Sequence, residues 1–260
     1  MWNQAKDNVY VAGHRGFPDR YPENTLLSYQ AAIDAGVDMV ELDIRMTADG
    51  QLVLIHDATV DRTTDGSGPV ANKTLEQLRA LDAGAWKGEA FRGTRIPLFT
   101  EFLEMTAPYP DLLFNFEIKE YPRDGNEDRA YRTADDVVEQ IDAWGLADRC
   151  VINAFDATLL EYIHDKHGGR HRLHGYYPLS YLHMTEANRD PYTYLYCACP
   201  FCEGGEAYDY LRSRGVQPWA GARVKDEATL REVIGWETPL VTCNNPETIL
   251  GLLRDMGLHK

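Results

Sequence analysis

The stretch Val40-Glu41-Leu42-Asp43-Ile44 alternates apolar and acidic residues. This alternation predicts a β-strand, because successive side chains of a strand point to opposite faces. Such a strand buries Val40, Leu42 and Ile44 on one face and presents Glu41 and Asp43 together on the other. Two carboxylates are therefore expected side by side at this point of the fold.

A hairpin is predicted directly after this strand. Asp49-Gly50 is a strong signal for a two-residue turn, and a loop of these two residues places Asp43 opposite His56. Directly opposed residues have Cβ atoms roughly 5 Å apart. The local sequence thus predicts a polar cluster of Glu41, Asp43 and His56. The solvated face of an ordinary hairpin would give the same pattern, so the interpretation depends on matching groups elsewhere.

Two other predicted strands end in polar groups of the same kind. Residues 9–13 form a short apolar strand that runs into His14 and Arg15, and residues 112–118 form a strand whose polar face ends in Glu117 and Lys119. Parallel sheets place their active sites at the carboxyl ends of strands. We therefore expect a histidine, a third carboxylate and two cations to join the cluster.

Strand and helix patterns alternate along the rest of the chain. The predicted strands are 9–13, 40–45, 112–118, 150–154, 173–177, 194–197, 216–220 and 240–243, with 51–55 as the arm of the hairpin. The predicted helices are 26–35, 98–105, 132–144, 156–167, 181–188, 206–214, 227–235 and 246–256. Asn24 is a plausible N-cap of the first helix and Gly36 its stop.

Eight strands alternating with helices predict an α/β fold, a (β/α)8 TIM barrel. A doubly wound open sheet is the alternative, but no Gly-rich dinucleotide loop follows any predicted strand. Residues 57–95 lack the strand–helix alternation and contain a short amphipathic stretch, so they read as a small insertion after the second strand. We interpret residues 1–260 as a single TIM-barrel domain that includes this insertion.

The composition limits the classes of partner. The formal net charge of −15 over 260 residues argues against nucleic acid, because the average field repels a phosphate polymer. No run of about 18 apolar residues occurs, and the first residues lack an apolar stretch of signal-peptide length. We expect a cytoplasmic protein without stable membrane association, a monomer or small homo-oligomer whose five cysteines are reduced.

Several motifs in a fixed order resemble one family. They are His14-Arg15-Gly16, Pro22-Glu23-Asn24-Thr25, Glu41-Leu42-Asp43, His56-Asp57, Asp61-Arg62-Thr63-Thr64-Asp65-Gly66-Ser67-Gly68, Ile96-Pro97 and Glu117-Ile118-Lys119. Together they resemble the glycerophosphodiester phosphodiesterases, which are related to the phosphatidylinositol phospholipase C-like phosphodiesterases. The resemblance is dense over residues 8–120 and thin afterwards.

The resemblance implies a fold, a reaction and roles for individual residues. The fold is a (β/α)8 barrel with a small insertion, and the reaction is hydrolysis of a small glycerophosphodiester to sn-glycerol 3-phosphate and an alcohol, within lipid and glycerol metabolism. The implied residues are Glu41, Asp43 and Glu117 for one divalent metal ion, His14 and His56 as the acid–base pair, Arg15 and Lys119 for the substrate phosphate, and Trp219 for the glycerol pocket. Lys119 could instead be an ion-pair partner of Glu117 or Glu120, and Trp219 could pack in the core.

These residue types suit the reaction. A phosphodiester is an anion with a poor leaving group, so its hydrolysis needs charge neutralisation and a proton for the departing alkoxide. Three carboxylates form an all-oxygen site that favours Mg²⁺ or Ca²⁺ over zinc. Imidazole titrates near neutrality, so two histidines can divide the acid and base roles. The sequence leaves open which histidine is the acid, and whether water or the glycerol 2-hydroxyl is the nucleophile.

The second half of the chain departs from the family pattern. Residues 219–222 and 242–246 differ from the motifs that the family often shows at the seventh and eighth strands, and residues 176–205 match no motif. The identity of the alcohol therefore stays open. Two alternatives are a lipid phosphodiesterase resembling lysophospholipase D or sphingomyelinase D, and a non-catalytic barrel.

Two further clusters have simpler interpretations. Cys197, Cys199 and Cys202 lie close together but lack the pair-of-pairs spacing of a zinc site, so we interpret them as reduced, partly buried thiols. Four histidines lie near a predicted helix end and loop, and we interpret them as part of a solvated connection. They are His164, His167, His171 and His174.

Overall fold

The computed structural model describes residues 8–123, 125–201 and 204–259. Within these ranges nine strands form one sheet. They are β1 (Tyr10–His14), β2 (Met39–Met46), β3 (Leu52–Leu54), β4 (Leu113–Ile118), β5 (Cys150–Asn153), β6 (Arg172–Tyr177), β7 (Cys197–Pro200), β8 (Gln217–Pro218) and β9 (Leu240–Cys243). Strand β3 is antiparallel to β2, and the other strands pair in parallel in the order β8-β7-β6-β5-β4-β2-β1-β9.

The sheet closes between β8 and β9 through a single residue. Ala220 forms a parallel bridge with Val241. Its backbone N–H donates to the Leu240 carbonyl at 2.9 Å, and its carbonyl accepts from the Thr242 N–H at 2.8 Å. Eight parallel strands of the described chain thus form a nearly closed barrel, and the predicted (β/α)8 TIM barrel is confirmed.

Helices cover the outside of this barrel. The helices of the described residues are α1 (Leu26–Ala35), α2 (Leu75–Arg79), α3 (Phe99–Thr106), α4 (Glu127–Ala143), α5 (Ala157–Lys166), α6 (Glu206–Ser213), α7 (Glu227–Gly235) and α8 (Pro246–Asp255). The apolar face of β2 packs outward into this layer, where Phe99 and Phe102 of α3 meet Phe116 of β4 edge to face. This core fixes the orientation of β2, so its acidic residues point into the barrel.

The barrel interior changes from apolar to polar along the strands. Its amino-terminal end is filled by one cluster of buried residues, namely Ala12, Met39, Leu113, Val151, Cys197, Trp219 and Leu240. The inward positions further along β2 and β4 carry Glu41, Asp43, Asn115 and Glu117, with Asp43 beside Glu117 in the register. Strand alternation therefore delivers the carboxylates toward the carboxyl end of the barrel, where the sequence predicts the site.

The hairpin register differs by one residue from the prediction. The pairs are Ile44 with Leu54 and Met46 with Leu52, which makes the loop three residues long. Gly50 adopts a left-handed φ of 80°, and its N–H donates to the Thr47 carbonyl. Such a turn followed by a left-handed glycine is the usual three-residue hairpin loop. Asp43 therefore lies opposite Ile55, and His56 reaches the cluster because the chain bends after Ile55.

Two elements of the second half were predicted wrongly. The sixth barrel strand is β7, three residues later than the predicted 194–197, because Tyr194 packs against His164 and donates its hydroxyl to the Ala157 carbonyl. Residues 181–188 are not the predicted helix, since His183 bridges Asp156 and turns follow it.

The start of α1 also differs from the prediction. Its N-cap is Thr25, whose hydroxyl accepts a hydrogen bond from the Ser28 N–H at 3.2 Å. Asn24 instead adopts a left-handed φ of 54° and its side chain is buried. The predicted stop at Gly36 is confirmed by a left-handed φ of 95°.

Residues 57–95 contribute two 3-10 turns and the five-residue α2, and no strand of the barrel sheet is described in this range. They surround a small separate core that includes Val60, Val70, Leu78 and Ala83 and packs against β3. The interpretation of 57–95 as an insertion within one domain of 1–260 stays a prediction.

Gly16 is expected to be essential for the loop after β1. Its φ is +89°, and a Cβ there would lie 2.5 Å from Ser28 Oγ and 2.6 Å from the Ser28 carbonyl carbon. Gly16→Ala should therefore lower the free energy of unfolding by about 2 to 5 kcal/mol, from backbone strain plus overpacking. Urea denaturation measures the loss.

Gly145→Ala is the matched control, because Gly145 also has a left-handed φ of +66° but nothing within 4 Å of the added methyl group. We expect a loss of only about 1 kcal/mol there. Equal losses for the two variants would contradict the steric argument.

Candidate active site

A cavity of about 270 Å³ opens at the carboxyl end of the barrel. Its lining comprises His14, Arg15, Glu41, His56, Asn115, Glu117, Lys119, Asn153, Phe155, Tyr176, Cys199, Phe201, Gly221, Ala222, Arg223 and Thr242. These residues lie at the ends of strands or in the loops that follow them. The cavity therefore occupies the place where TIM barrels carry their active sites.

Three carboxylates form the floor of this cavity. Glu41 and Asp43 come from β2 and Glu117 from β4, and all three are buried. One oxygen atom of each lies within 4.8 Å of the others, so among the described residues these three could hold a metal ion. The structure thus brings together the three side chains that the sequence analysis named.

Two cations compensate part of this charge. Lys119 Nζ contacts the Glu117 carboxylate and lies 3.2 Å from Asp43 Oδ1, while Arg15 Nε lies 3.2 Å from Asp43 Oδ2. Burial alone would raise the pKa of Asp43, but the charges of Lys119 and Arg15 hold that pKa below its usual range. Asp43 is therefore ionised in the folded protein.

Glu41 is compensated less completely. Its Oε2 accepts the Arg15 backbone N–H at 2.8 Å, whereas its buried Oε1 has no hydrogen-bond partner among the described residues. Burial, followed by the negative charges of Asp43 and Glu117, raises the pKa of Glu41 well above its usual range. An unsatisfied buried oxygen within an all-oxygen donor set fits a hard divalent cation.

The two histidines face the cavity in the same way. His14 Nδ1 lies 2.7 Å from Asn244 Oδ1, and His56 Nδ1 lies 2.6 Å from Asp57 Oδ1. Because both partners are acceptors as placed, each neutral ring donates its Nδ1–H and keeps an unprotonated Nε2. Burial lowers the pKa of both rings, that of His14 to about 4, so the neutral form is favoured.

Trp219 is not brought to the cavity. It lies in the apolar cluster at the amino-terminal end of the barrel, edge to face with His174 at 5.4 Å between ring centroids, and it is absent from the residues that line the cavity. The expected contact with the glycerol pocket is therefore wrong, and the alternative of core packing holds. Gly221, two residues further along the chain, lines the cavity, so Trp219 lies one inward layer deeper.

Asparagines that the sequence analysis did not assign support the site. Asn24 Nδ2 donates to Asp43 Oδ2 at 2.7 Å, and the Asp43 N–H donates to Asn24 Oδ1 at 3.2 Å. Asn153 Nδ2 donates to Glu117 Oε2 at 3.4 Å, and Asn244 holds His14. Asn153 lies at the end of β5 and Asn244 directly after β9, and these positions could have indicated a role in the site. The sequence around Asn24 indicated only a helix cap.

One wall of the cavity is aromatic. The rings of Phe155 and Tyr176 stack with centroids 3.6 Å apart, and Phe201 stacks on Tyr176 at 5.3 Å. Tyr181 continues the series, with its centroid 4.7 Å from that of Phe201. The sequence indicated many tyrosines in this region but not that the aromatic rings would form a continuous wall.

The histidine and cysteine clusters are partly as predicted. His164 and His167 are half-buried, but His171 is buried, and His174 lies inside the barrel with Nδ1 3.1 Å from Asn115 Nδ2. The interpretation of all four as a solvated connection is therefore wrong for His171 and His174.

Cys197 and Cys199 are buried. Cys202 lies outside the described residues, so its predicted role is not addressed.

Comparison with known proteins identifies the family to which the chain is similar. A family model described as the glycerophosphoryl diester phosphodiesterase family matches residues 14–217. The glycerophosphodiester phosphodiesterase of Caldanaerobacter subterraneus subsp. tengcongensis is 33% identical over 260 residues, covering 95% of this chain and 98% of that protein. The enzyme of the same name from Bacillus altitudinis is 35% identical over 156 residues, covering 59% and 61%.

The solved structures agree in fold. A phosphodiesterase from Oleispira antarctica, in complex with the product sn-glycerol-3-phosphate, superposes with a TM-score of 0.81 at 23% identity, covering 95% of this chain and 97% of that chain. The fold is that of a TIM barrel with an acidic cavity at the carboxyl end of its strands. The family match is more specific: the chain belongs to the glycerophosphoryl diester phosphodiesterase family.

Buried His174 generates a testable pH dependence. Burial lowers the pKa of His174 to about 3, below its unfolded value of about 6.5. The unfolded chain therefore binds the proton first, and stability is lost as the pH falls below about 6.5. The loss is about 1.4 kcal/mol per pH unit, or about 2 kcal/mol between pH 7 and pH 5.

The measurement compares urea denaturation of wild type and His174→Gln at these two pH values. We expect the variant to lack this 2 kcal/mol of pH dependence, whatever its stability at pH 7. Parallel pH dependences for the two proteins would show that His174 is not the group responsible.

Proposed function

We propose that this chain hydrolyses glycerophosphodiesters to sn-glycerol 3-phosphate and an alcohol. The observation that carries the proposal is the convergence of three buried carboxylates, two cations and two histidine Nε2 atoms on one cavity. The names of the relatives, and the sn-glycerol-3-phosphate bound to the Oleispira antarctica phosphodiesterase, support this substrate class.

Glu41, Asp43 and Glu117 are proposed to hold one divalent metal ion, Mg²⁺ or Ca²⁺. The support is the all-oxygen donor set and the unsatisfied Glu41 Oε1. The ion would act as a Lewis acid that stabilises negative charge on the phosphoryl oxygens. It would also relieve the mutual repulsion of the carboxylates, which adds to the effect of burial in raising the pKa of Glu41 in the protein alone.

The chain's own groups bind the phosphate and move the protons. Arg15 and Lys119 present positive charge at the cavity floor, where it opposes the charge on the non-bridging oxygens. One histidine accepts the proton of the attacking hydroxyl as the new P–O bond forms. The other histidine must be protonated at Nε2 when the anionic substrate is bound, and it donates that proton to the alkoxide as the P–O bond to the alcohol breaks. The nucleophile is water or the glycerol 2-hydroxyl, and only the second produces a cyclic phosphate.

The proposed cellular setting follows from this chemistry and from the charge of the chain. In the described part of the protein, no helix combines the length and apolar character that crossing a bilayer requires. We propose that the enzyme acts in the cytoplasm, in lipid and glycerol metabolism, as a monomer or small homo-oligomer without nucleic-acid partners.

Metal removal and substitution of the site test the proposal. EDTA should abolish release of glycerol 3-phosphate from a panel of glycerophosphodiesters, and added Mg²⁺ or Ca²⁺ should restore it. Glu117→Gln removes a proposed metal ligand, and His14→Ala and His56→Ala each remove a proton-transfer group. Each substitution should lower kcat by at least about 100-fold, the usual scale for an acid–base group.

Glu120→Gln serves as the matched control. Glu120 is also a buried carboxylate, but it lies near Arg45 and Arg129 and does not line the cavity. Its activity should stay close to that of wild type. If hydrolysis continues in the presence of EDTA, the assignment of a metal ion is wrong. If folded, metal-loaded wild type hydrolyses none of the diesters in the panel, the proposed substrate class is wrong.

The aromatic wall favours a second candidate, a lysophospholipase D-like activity on lipid substrates. Phe201 and Tyr181 are 44% and 46% exposed at the rim, and the wall continues inward through Tyr176 and Phe155. Such a surface could contact the apolar part of a lysolipid, because burial of apolar area stabilises binding.

The two candidates differ in their response to Phe201→Ser. If lysolipids are the substrates, lysophosphatidylcholine should be turned over faster than glycerophosphocholine by wild type, and the substitution should reduce only the lipid reaction, through KM. We expect the opposite preference, with glycerophosphocholine as the faster substrate. A lysolipid preference in the wild type would promote the second candidate.

A further inference from the structure

A continuous series of polar contacts connects His56 to Asp43. His56 donates a hydrogen bond to Asp57, and Asp57 pairs with Arg62. Arg62 pairs with Glu23, Glu23 with Arg15, and Arg15 with Asp43. The charges alternate in sign from Asp57 to Asp43, so every ion pair in the series is attractive. Arg62 occupies the middle, and no role in the reaction described above uses it.

Arg62 holds two carboxylates at once. Its Nε lies 2.6 Å from Asp57 Oδ2 and its Nη2 3.2 Å from Asp57 Oδ1. Its Nη1 and Nη2 donate to Glu23 Oε2 and Oε1 at 2.8 and 2.7 Å. The guanidinium thus makes two bidentate pairs, a geometry that the planar fork of arginine permits and an ammonium does not.

The two carboxylates belong to different parts of the chain. Glu23 lies in the loop between β1 and α1, and its Oε1 also accepts from Arg15 Nη1 at 2.8 Å. Asp57 follows the hairpin and accepts from His56. Arg62 itself comes from the 57–95 segment. The guanidinium therefore ties the segment that carries one proposed catalytic histidine to the loop that carries a proposed phosphate-binding arginine.

We propose that Arg62 is a positioning residue of the active site, which orients His56 through Asp57 and Arg15 through Glu23. The inference rests on the proposed function, since it assigns Arg62 to the reaction that His56 and Arg15 serve. Arg62 itself does not line the cavity, so it acts only through these two carboxylates.

We call Arg62, Asp57 and Glu23 the clamp. Its Asp57 end acts on His56, and its Glu23 end acts on Arg15. Asp57, fixed by Arg62, accepts the Nδ1–H of His56 and so keeps the neutral ring in the tautomer whose Nε2 is free for proton transfer. The hydrogen bonds from Arg62 also hold the pKa of Asp57 to about 2 against the opposing effect of burial, so Asp57 remains an acceptor. Glu23 anchors the Arg15 guanidinium, which keeps its Nε against Asp43.

The exposure of Arg62 limits what its ion pairs contribute to stability. Its side chain is 45% exposed, so solvent and salt screen these pairs and weaken their contribution to folding. A positioning role instead predicts a large effect on the reaction with a small effect on the melting temperature. The two readouts separate the proposal from a structural role.

The experiment compares Arg62→Ala with a matched control, Arg189→Ala. Arg189 also bridges two carboxylates, Glu161 and Asp165, both at 2.6 Å, and is 50% exposed, but it lies far along the chain and does not line the cavity. Arg62→Ala should lower kcat about 10- to 100-fold, the usual scale for residues that orient an active-site group. Arg189→Ala should leave kcat within about twofold, and both melting temperatures should shift by only a few degrees.

Two further readouts report on the clamp itself. Arg62→Lys should remain impaired, because an ammonium cannot hold both carboxylates in bidentate pairs. Millimolar guanidinium ion should restore part of the Arg62→Ala activity and none of any loss in Arg189→Ala. In metal-free protein, the ¹⁵N shifts of the His56 ring should report the Nδ1–H tautomer in wild type and a mixture of tautomers in Arg62→Ala.

Wild-type activity on the diester panel distinguishes failure of the proposed function from failure of the inference about Arg62. If wild type is inactive but Arg62→Ala changes the ¹⁵N shifts of the His56 ring as expected, the proposed function is rejected and the positioning role of Arg62 is supported. An active wild type with Arg62→Ala indistinguishable from Arg189→Ala in kcat and in the ring signals would overturn the inference. A loss of activity matched by a large drop in melting temperature, without guanidinium rescue, would make Arg62 structural and also overturn it.

Discussion

The structure depends on holding three carboxylates together inside the barrel. Glu41, Asp43 and Glu117 approach within 4.8 Å in a region shielded from water, where like charges repel strongly. Lys119 and Arg15 offset part of that repulsion, and the amides of Asn24 and Asn153 donate to Asp43 and Glu117, respectively. The surrounding loops are arranged to deliver these donors.

The loop after β1 carries much of this task. Arg15 and Asn24 both adopt left-handed φ values near 55°, which costs of order 1 to 3 kcal/mol at each non-glycine residue. The strain is balanced by hydrogen bonds that only this conformation allows. The Asn24 N–H donates to the Arg15 carbonyl, the Arg15 N–H reaches Glu41, and Asn24 holds both the backbone and the carboxylate of Asp43. Backbone strain and charge compensation are thus linked.

The sequence predicted the barrel and most of the floor of the site because both follow from strand periodicity. Alternation in β2 and β4 fixes which residues point inward, whatever the loops do. The failures share a different cause. The hairpin register depended on a loop one residue longer than the dipeptide signal indicated, and the depth of Trp219 depended on where β8 ends. Asn24 and Asn244 act through contacts distant in sequence, for which a single chain gives no local pattern.

The three carboxylates, the two histidines, Arg15 and Lys119 come from residues 14–119, whereas the aromatic wall and Arg223 come from β5 onward. Asn153 and Asn244 are the described hydrogen-bond links from the second half to this machinery. This half also contains the point where the barrel closes, at which the two-residue β8 is followed by a single bridge from Ala220 to β9. Under the proposed function, reaction and selectivity are therefore encoded in largely separate blocks of the gene. Mutations in the later block can change which alcohol the cavity admits while the earlier block is inherited intact, so substrate range can diverge without passing through an inactive ancestor.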